Sequence, residues 1–324
     1  MAVMTYIEGI SAGLREEMRR DPRVYIMGED VGIYGGAFKV TKGFLDEFGP
    51  DRVYDTPLAE SAIMGVGIGC ALTGLRPVIE FQFADFITSA FNQVVNNLGT
   101  MYYRSNMPCP VTIRCPSGAN VHGGPFHSQN PETWFVHTPG LKVVAPSTPY
   151  DAKGLIVAAI QDDDPVLYFE HKFLYRRIKE DVPEESFIVP IGKADLKREG
   201  SDLSVVCYGA AVHLALEAAD KLQQEGISVE VLDMRSLYPY DKEAIARTVK
   251  KTGRVLIAHE DFLTAGCGAE FAAFIGQECF EMLDAPVIRA ASMDVPFPFS
   301  SVLEEHMVLT TAKVESALRK LAQF

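Results

Sequence analysis

The feature that most constrains this chain is its alternation of short apolar runs with helix-period segments. Strand-like runs fall at residues 23–27, 52–55, 77–83, 111–114, 141–145 and 166–170. Before and between them lie stretches with helical spacing or small-residue composition, at 5–20, 61–74, 86–104 and 149–161. Asp21-Pro22 ends the first helix, since proline cannot continue the hydrogen-bond ladder. A second alternating series has strands at 203–208, 228–232, 255–259 and 286–290, with helices at 212–225, 242–250 and 269–281. Strands separated by helices build parallel sheets covered on both faces. The fold class is therefore α/β, with two domains of parallel-rich sheets flanked by helices. The acidic, proline-containing stretch 179–190 has no periodicity and reads as a linker, which divides the chain into residues 1–187 and 188–324.

Composition narrows the function classes. Of 324 residues, 48% are hydrophobic and 23% charged, which excludes a disordered chain. Acidic residues outnumber basic ones 43 to 30, for a net charge of -13. A nucleic-acid partner would need a basic footprint, and none is present beyond Arg176, Arg177 and Lys179. The six cysteines form no CxxC pair and no histidine-bearing zinc pattern, so reduced thiols are expected. Ile7, Ile10, Leu14 and Met18 give the N-terminus helical amphipathicity rather than an apolar signal core. No apolar run approaches the ~20 residues of a membrane span. These features predict a soluble, intracellular protein that binds neither nucleic acid nor membrane.

Ligands in open parallel sheets sit beyond the carboxyl ends of strands. Four loops qualify, those containing Glu29, Glu60, Gln82 and His127. Glu60 opens the small-residue helix. Its charge there complements the helix dipole, or its carboxyl faces an apolar cleft walled by Leu58 and Phe86 and shares a proton with a heterocyclic ligand. Gly65-Val66-Gly67-Ile68-Gly69 invites a dinucleotide reading but lies inside a helix and lacks the last glycine, so close packing through small residues is expected. His127 lies in a glycine-bounded loop with His122 and Gly123-Gly124. No G-x-S-x-G elbow supports a hydrolase. His259, beside Glu260 at a strand end, is the second candidate histidine.

At Asp55-Thr56-Pro57-Leu58-Ala59-Glu60-Ser61 a resemblance emerges. With Gly28-Glu29-Asp30-Val31-Gly32, Phe83-Ala84-Asp85-Phe86, His127-Ser128-Gln129 and Pro139-Gly140-Leu141-Lys142, the chain resembles the β subunits of thiamine diphosphate-dependent 2-oxo acid dehydrogenases. These are the decarboxylating first components of multienzyme complexes. The resemblance runs the whole length of the chain. It implies a transketolase-like pyrimidine-binding domain followed by a transketolase C-terminal-like domain.

The resemblance also implies a division of labour. The diphosphate motif Gly-Asp-Gly is missing from this chain, so an α subunit would supply the diphosphate and Mg2+ site of an α2β2 heterotetramer. Glu60 is similar to the acid that hydrogen-bonds the aminopyrimidine ring nitrogen, and His127 to the histidine beside the substrate. Glu29, Leu58, Gln82 and Phe86 match cofactor-lining positions. Ala159, Ile160, Asp162 and Asp164 match a potassium site, although Asp162-Asp163-Asp164 reads equally as a solvated acidic turn. A lipoyl acyltransferase core is the implied partner of the assembled enzyme. The place of action would be the cytoplasm, or the mitochondrial matrix for a mature eukaryotic chain. A branched-chain 2-oxo acid is favoured as substrate, with pyruvate next. The alternatives are an acetoin dehydrogenase β subunit, a non-catalytic binding or regulatory subunit, and a complete one-chain transketolase-type enzyme.

Overall fold

A computed structural model describes residues 1–324. They form two units: Met1–Ser117 with Trp134–Ile191, and Gly118–Thr133 with Gly192–Phe324. By compactness, the loop bearing His127 groups with the C-terminal unit.

The first unit carries a parallel sheet. In spatial order its strands are Lys142–Val144, Val166–His171, Thr112–Ser117, Arg76–Glu80, Val24–Gly28 and Val53–Asp55. Every residue of the four central strands is buried. Burial on both faces explains why these segments read as runs instead of alternating patterns. Helix Tyr6–Arg20 starts at a Thr5–Glu8 capping box, which satisfies two otherwise unpaired backbone donors. It lies so close to helix Pro149–Gln161 that a Cβ on Gly13 would come within 2.6 Å of Ile156.

Two expectations are corrected here. The stretch assigned to a linker contains strand Lys179–Val182, which pairs antiparallel with Ala2–Thr5. Its residues Lys179, Glu180 and Asp181 are charged, with only Val182 buried, so no apolar pattern marks it. The single helix expected over 86–104 is instead a 3-10 segment at Ala84–Ala90, a π segment at Gln93–Leu98 and a short α-helix at Met101–Ser105. Gly99 marks one break. A Cβ there would press on Thr138, the Pro139 carbonyl and the Val95 carbonyl at 3.1–3.2 Å.

Arg114 lies at the centre of the first sheet and is 1% exposed. Its Nε and Nη2 donate to Glu170 Oε1 and Oε2 at 2.6 and 2.9 Å, and its Nη1 contacts Glu80. Tyr175 Oη donates to Glu170 at 2.8 Å. Two buried carboxylates thereby share one guanidinium.

The second unit orders its strands Ile288–Ser292, Val255–Phe262, Leu203–Cys207, Val229–Asp233 and Asp195–Arg198. Only the last pair is antiparallel. Val205, Val231 and Leu256 pack with Ala215 and Ala219 of helix Ala211–Gln223 and with Val314 and Leu318 of helix Thr311–Leu321. All six cysteines are unpaired thiols. No helix is long and apolar enough to cross a membrane.

Candidate active site

In the first unit, the carboxyl ends of strands Val24–Gly28, Val53–Asp55 and Arg76–Glu80 bring three candidate loops together. Gly28 ends the central one of these strands. A Cβ there would lie 2.6 Å from the Glu80 carbonyl, so glycine lets the neighbouring strand close in. The chain then turns at Asp30, which adopts a left-handed φ of 59°. Asp55 braces the loop that follows by accepting from the Gly32 and Ile33 amides at 2.5 and 3.1 Å.

This geometry buries Glu29, which is 8% exposed and whose Oε1 has no hydrogen-bond partner. Burial, then the charges of Glu60 and Asp30, push the Glu29 carboxyl above the ordinary carboxylate range. Glu60 is the first residue of helix Glu60–Leu72, whose N-cap, Ala59, provides no side-chain cap. A carboxylate in that first turn complements exposed amides and the helix dipole. The helix start accounts for the position of the Glu60 carboxylate, whose charge acts on Glu29.

The remaining candidates surround this pair with unequal burial. Gln82 donates through Nε2 to Asp30 Oδ2 at 3.2 Å. Phe86 is half-buried and meets Phe83 edge-on at 5.5 Å. Phe83 in turn meets Phe38 edge-on at 5.4 Å, extending an aromatic wall. Leu58 is 80% exposed. Only part of the Gly65–Gly69 run packs closely. A Cβ on Gly67 would meet Ile79 at 2.4 Å, whereas nothing lies within 4 Å of Gly65 or Gly69. Together Ala59, Ser61, Ala62 and Val66 line an open groove that continues from Glu60 towards Ser89 and Gln93.

The segment matched to a cation site is held largely by protein donors. Arg76 donates to the carbonyls of Ile160 and Asp162 at 2.8 and 2.6 Å. Lys142 holds the Asp162 carboxylate at 2.7 Å and that of Asp164 at 3.1 Å. Ile160 and Asp162 are thus the seat of two protein cations, and their backbone and carboxylate oxygens do not fit a further one. The Ala159 carbonyl accepts from the Thr112 hydroxyl at 3.1 Å.

In the second unit, His127 is half-buried and follows the 3-10 turn Gly124–Phe126. The loop around it rests on two buried acids that sequence reasoning missed, Glu260 and Glu304. Neither lies in a recognisable motif, and both come from elements distant in sequence. Glu260 accepts from the Ala119 amide at 2.7 Å and the Asn130 side chain at 3.1 Å. Below them is a second buried polar cluster. Tyr208 donates to Glu132 at 2.9 Å, and Thr133 donates to Asp261 at 2.8 Å. Burial raises both of these acids, with the charge of Asp261 adding to the effect on Glu132 and those of Glu260 and Asp294 adding to the effect on Asp261. His259 is fully buried there, stacked on Tyr208 with ring centroids 5.9 Å apart. Neither of its ring nitrogens has a partner, and burial lowers its pKa to about 4.

Known proteins share this fold. Residues 2–177 match the transketolase pyrimidine-binding domain family, and residues 192–314 match the transketolase C-terminal domain family. The 2-oxoisovalerate dehydrogenase subunit beta of Bacillus subtilis (strain 168) is 52% identical over 327 residues, covering 100% of both chains. The pyruvate dehydrogenase E1 component subunit beta of the same organism is 47% identical over 320 residues, covering 97% of this chain and 98% of that one. Among solved structures, a split-gene transketolase described as an inactive beta4 tetramer superposes with a TM-score of 0.82 at 25% identity, over 99% of this chain and 98% of the other.

Proposed function

The chain belongs to the β subunits of the first components of 2-oxo acid dehydrogenase complexes, and from that premise we propose its substrate, assembly and residue roles. With an α subunit it performs thiamine diphosphate-dependent oxidative decarboxylation of a 2-oxo acid. A branched-chain acid is the preferred substrate and pyruvate the next. The acyl group then passes to the lipoyl arm of an acyltransferase core. The relatives favour this reading over an acetoin-cleaving or non-catalytic subunit.

The observation that carries it is the acid pair at the end of the first sheet. Glu29 keeps a buried carboxylate oxygen without a partner next to the charge of Glu60. An uncompensated buried acceptor of this kind suits a ligand that brings hydrogen-bond donors. The cofactor's aminopyrimidine is such a group, so the residues fit it. Thiamine diphosphate, when bound, supplies the electron sink that stabilises the carbanion formed on decarboxylation. Glu60 holds and returns a proton at its carboxylate oxygen. Glu29, held towards its protonated form, donates or accepts beside it. Phe86 and Leu58 exclude water, and Gln82 is oriented by Asp30.

Leu58 and the open face at Ser61, Ala62, Gly65 and Val66 mark the side that the α subunit covers. That subunit supplies the diphosphate and Mg2+ site, giving an α2β2 assembly. His127 orients the substrate or stabilises charge during acyl transfer. No potassium site is part of this proposal, because Lys142 holds the carboxylates of Asp162 and Asp164 and Arg76 the carbonyls of Ile160 and Asp162.

The test is co-expression with a candidate α subunit, followed by decarboxylation assays across branched-chain 2-oxo acids, pyruvate and acetoin. Cofactor-dependent activity should appear only in the co-purified complex and be highest with a branched-chain acid. Activity of this chain alone would overturn the division of labour. Selective activity on acetoin would overturn the substrate assignment.

A further inference from the structure

The loop Gly118–Thr133 holds its shape at a conformational cost. Asn120 and His122, neither of them glycine, have φ of 63° and 57°. Such left-handed residues persist only where surrounding contacts determine them. The contacts are supplied by two acids from elsewhere in the second unit. Glu304, on the short helix Ser301–Met307, is 1% exposed. Its Oε1 accepts from the Asn120 amide at 3.0 Å, and its Oε2 lies 2.5 Å from His122 Nδ1. Glu260 is 4% exposed and accepts from the Ala119 amide, and from the Asn120 side chain at 3.3 Å.

Beyond this double clamp the chain has little slack before His127. A Cβ on Gly123 would lie 2.7 Å from the His127 Cβ. Gly124, at φ 69°, lies against the Phe299 ring, with ring carbons 2.4–2.6 Å from where a Cβ would stand. The His127 amide donates to the Gly124 carbonyl at 3.3 Å. A change in the backbone at 120–122 is therefore transmitted to His127 and is not absorbed between them. The exposed member of the clamp is His122, whose side chain is 55% accessible while Glu304 is enclosed.

We propose that His122 is a positioning residue: its contact with Glu304 latches the loop and fixes the orientation of His127 for acyl transfer. This rests on the role given to His127 above. The contact joins an exposed imidazole to a buried carboxylate, so substitution at His122 removes the latch without opening the core.

The experiment uses the co-purified αβ enzyme and three substitutions. His122→Gly relieves the backbone of its left-handed strain but deletes the latch. His122→Asn keeps a side-chain donor and tolerates the same φ. His127→Ala removes the residue being positioned. Lipoyl-domain acylation and decarboxylation to an artificial electron acceptor are measured separately, with hydrogen exchange of the 118–133 amides. His122→Gly should lower acylation on the order of tenfold, the scale of loss expected from misplacing a group by a fraction of an ångström. Decarboxylation should change much less, and loop amides should lose protection. His122→Asn should restore both. Combining His122→Gly with His127→Ala should be no worse than His127→Ala alone, which a merely structural defect would not produce. Unchanged acylation in His122→Gly, or full multiplication of the two losses, would overturn the proposal. If His127→Ala harms both reactions equally, the reading of His127 falls and the kinetic claim with it. Unaltered exchange in His122→Gly then removes the latch as well.

Discussion

The Glu29 carboxyl is pushed up the pH scale by its burial and by the neighbouring charge of Glu60. In the proposed function these two acids, one enclosed and one at a helix start, divide the work of holding and moving a proton. Glu60→Gln keeps a polar side chain of the same shape but cannot relay a proton. Turnover should fall by at least about 100-fold, the usual scale for losing a general acid–base group, while cofactor affinity changes by less than about tenfold. Removing the Glu60 charge should also move the titration of Glu29 down towards the ordinary carboxylate value. Titration of turnover and isothermal binding of the cofactor to the αβ enzyme measure the two effects. Wild-type turnover in the variant would sink the assignment.

His127 is proposed to act in the second half-reaction. His127→Ala should slow reductive acylation of a lipoyl domain by about 100-fold, within the range for a positioned acid–base or charge-stabilising group. Decarboxylation read with an artificial oxidant should fall much less. Single-turnover measurements with each acceptor separate the two steps. Equal losses would argue instead for a role in binding the 2-oxo acid.

Arg114 gives a prediction about stability. It joins Glu80 and Glu170 in a fully buried cluster, with Tyr175 completing the bonds to Glu170. Arg114→Met fills similar volume but leaves two carboxylates without a cation. The cost should be about 3–5 kcal/mol, as for breaking other buried pairs from one side. Glu80→Gln should cost clearly less, because Arg114 keeps its bidentate partner Glu170. Urea unfolding of the three proteins ranks these effects, and a Glu80→Gln loss as large as that of Arg114→Met would contradict the arrangement.

Legibility in the sequence followed the physics of each element. Strands buried on both faces, such as Val24–Gly28, stand out as apolar runs. Helix Tyr6–Arg20 shows its buried stripe at Ile7, Ile10, Leu14 and Met18. Edge strand Lys179–Val182 did not show, because its pairing with Ala2–Thr5 lies in backbone bonds that no side-chain pattern encodes. Helix Thr311–Leu321 carries Val314, Leu318 and Leu321 at helical spacing, but it follows helix Ser301–Met307 and so stands outside the strand–helix alternation. Within the sites, short loops carried enough local pattern to single out Glu60 and His127. The supports at Glu260 and Glu304 lie 141 and 184 residues from the backbone they hold. Such partners become visible only once the fold brings them together.

His259 makes the last prediction, on pH. Burial, reinforced by Arg289, lowers its pKa to about 4, against an ordinary value near 6.5. Between these values the unfolded chain binds a proton that the native protein refuses. Stability therefore rises with pH across that window and is lost as pH falls from about 6.5 to about 4. The difference corresponds to about 3 kcal/mol by linkage. Glu132 and Asp261, both raised, contribute the opposite slope, because deprotonating them costs more in the native state than in the unfolded chain. The overall profile is a sum, and the comparison with a variant isolates one contributor. His259→Leu removes the titrating group while keeping a comparable volume between Gly266 and Gly268, which both approach the ring. Its absolute stability will shift with packing. Its pH slope between 4 and 6.5 should flatten relative to wild type by about 3 kcal/mol over the window. Denaturant midpoints at a series of pH values measure that slope. Parallel curves for the two proteins would mean that His259 is protonated in the folded chain as readily as in the unfolded one.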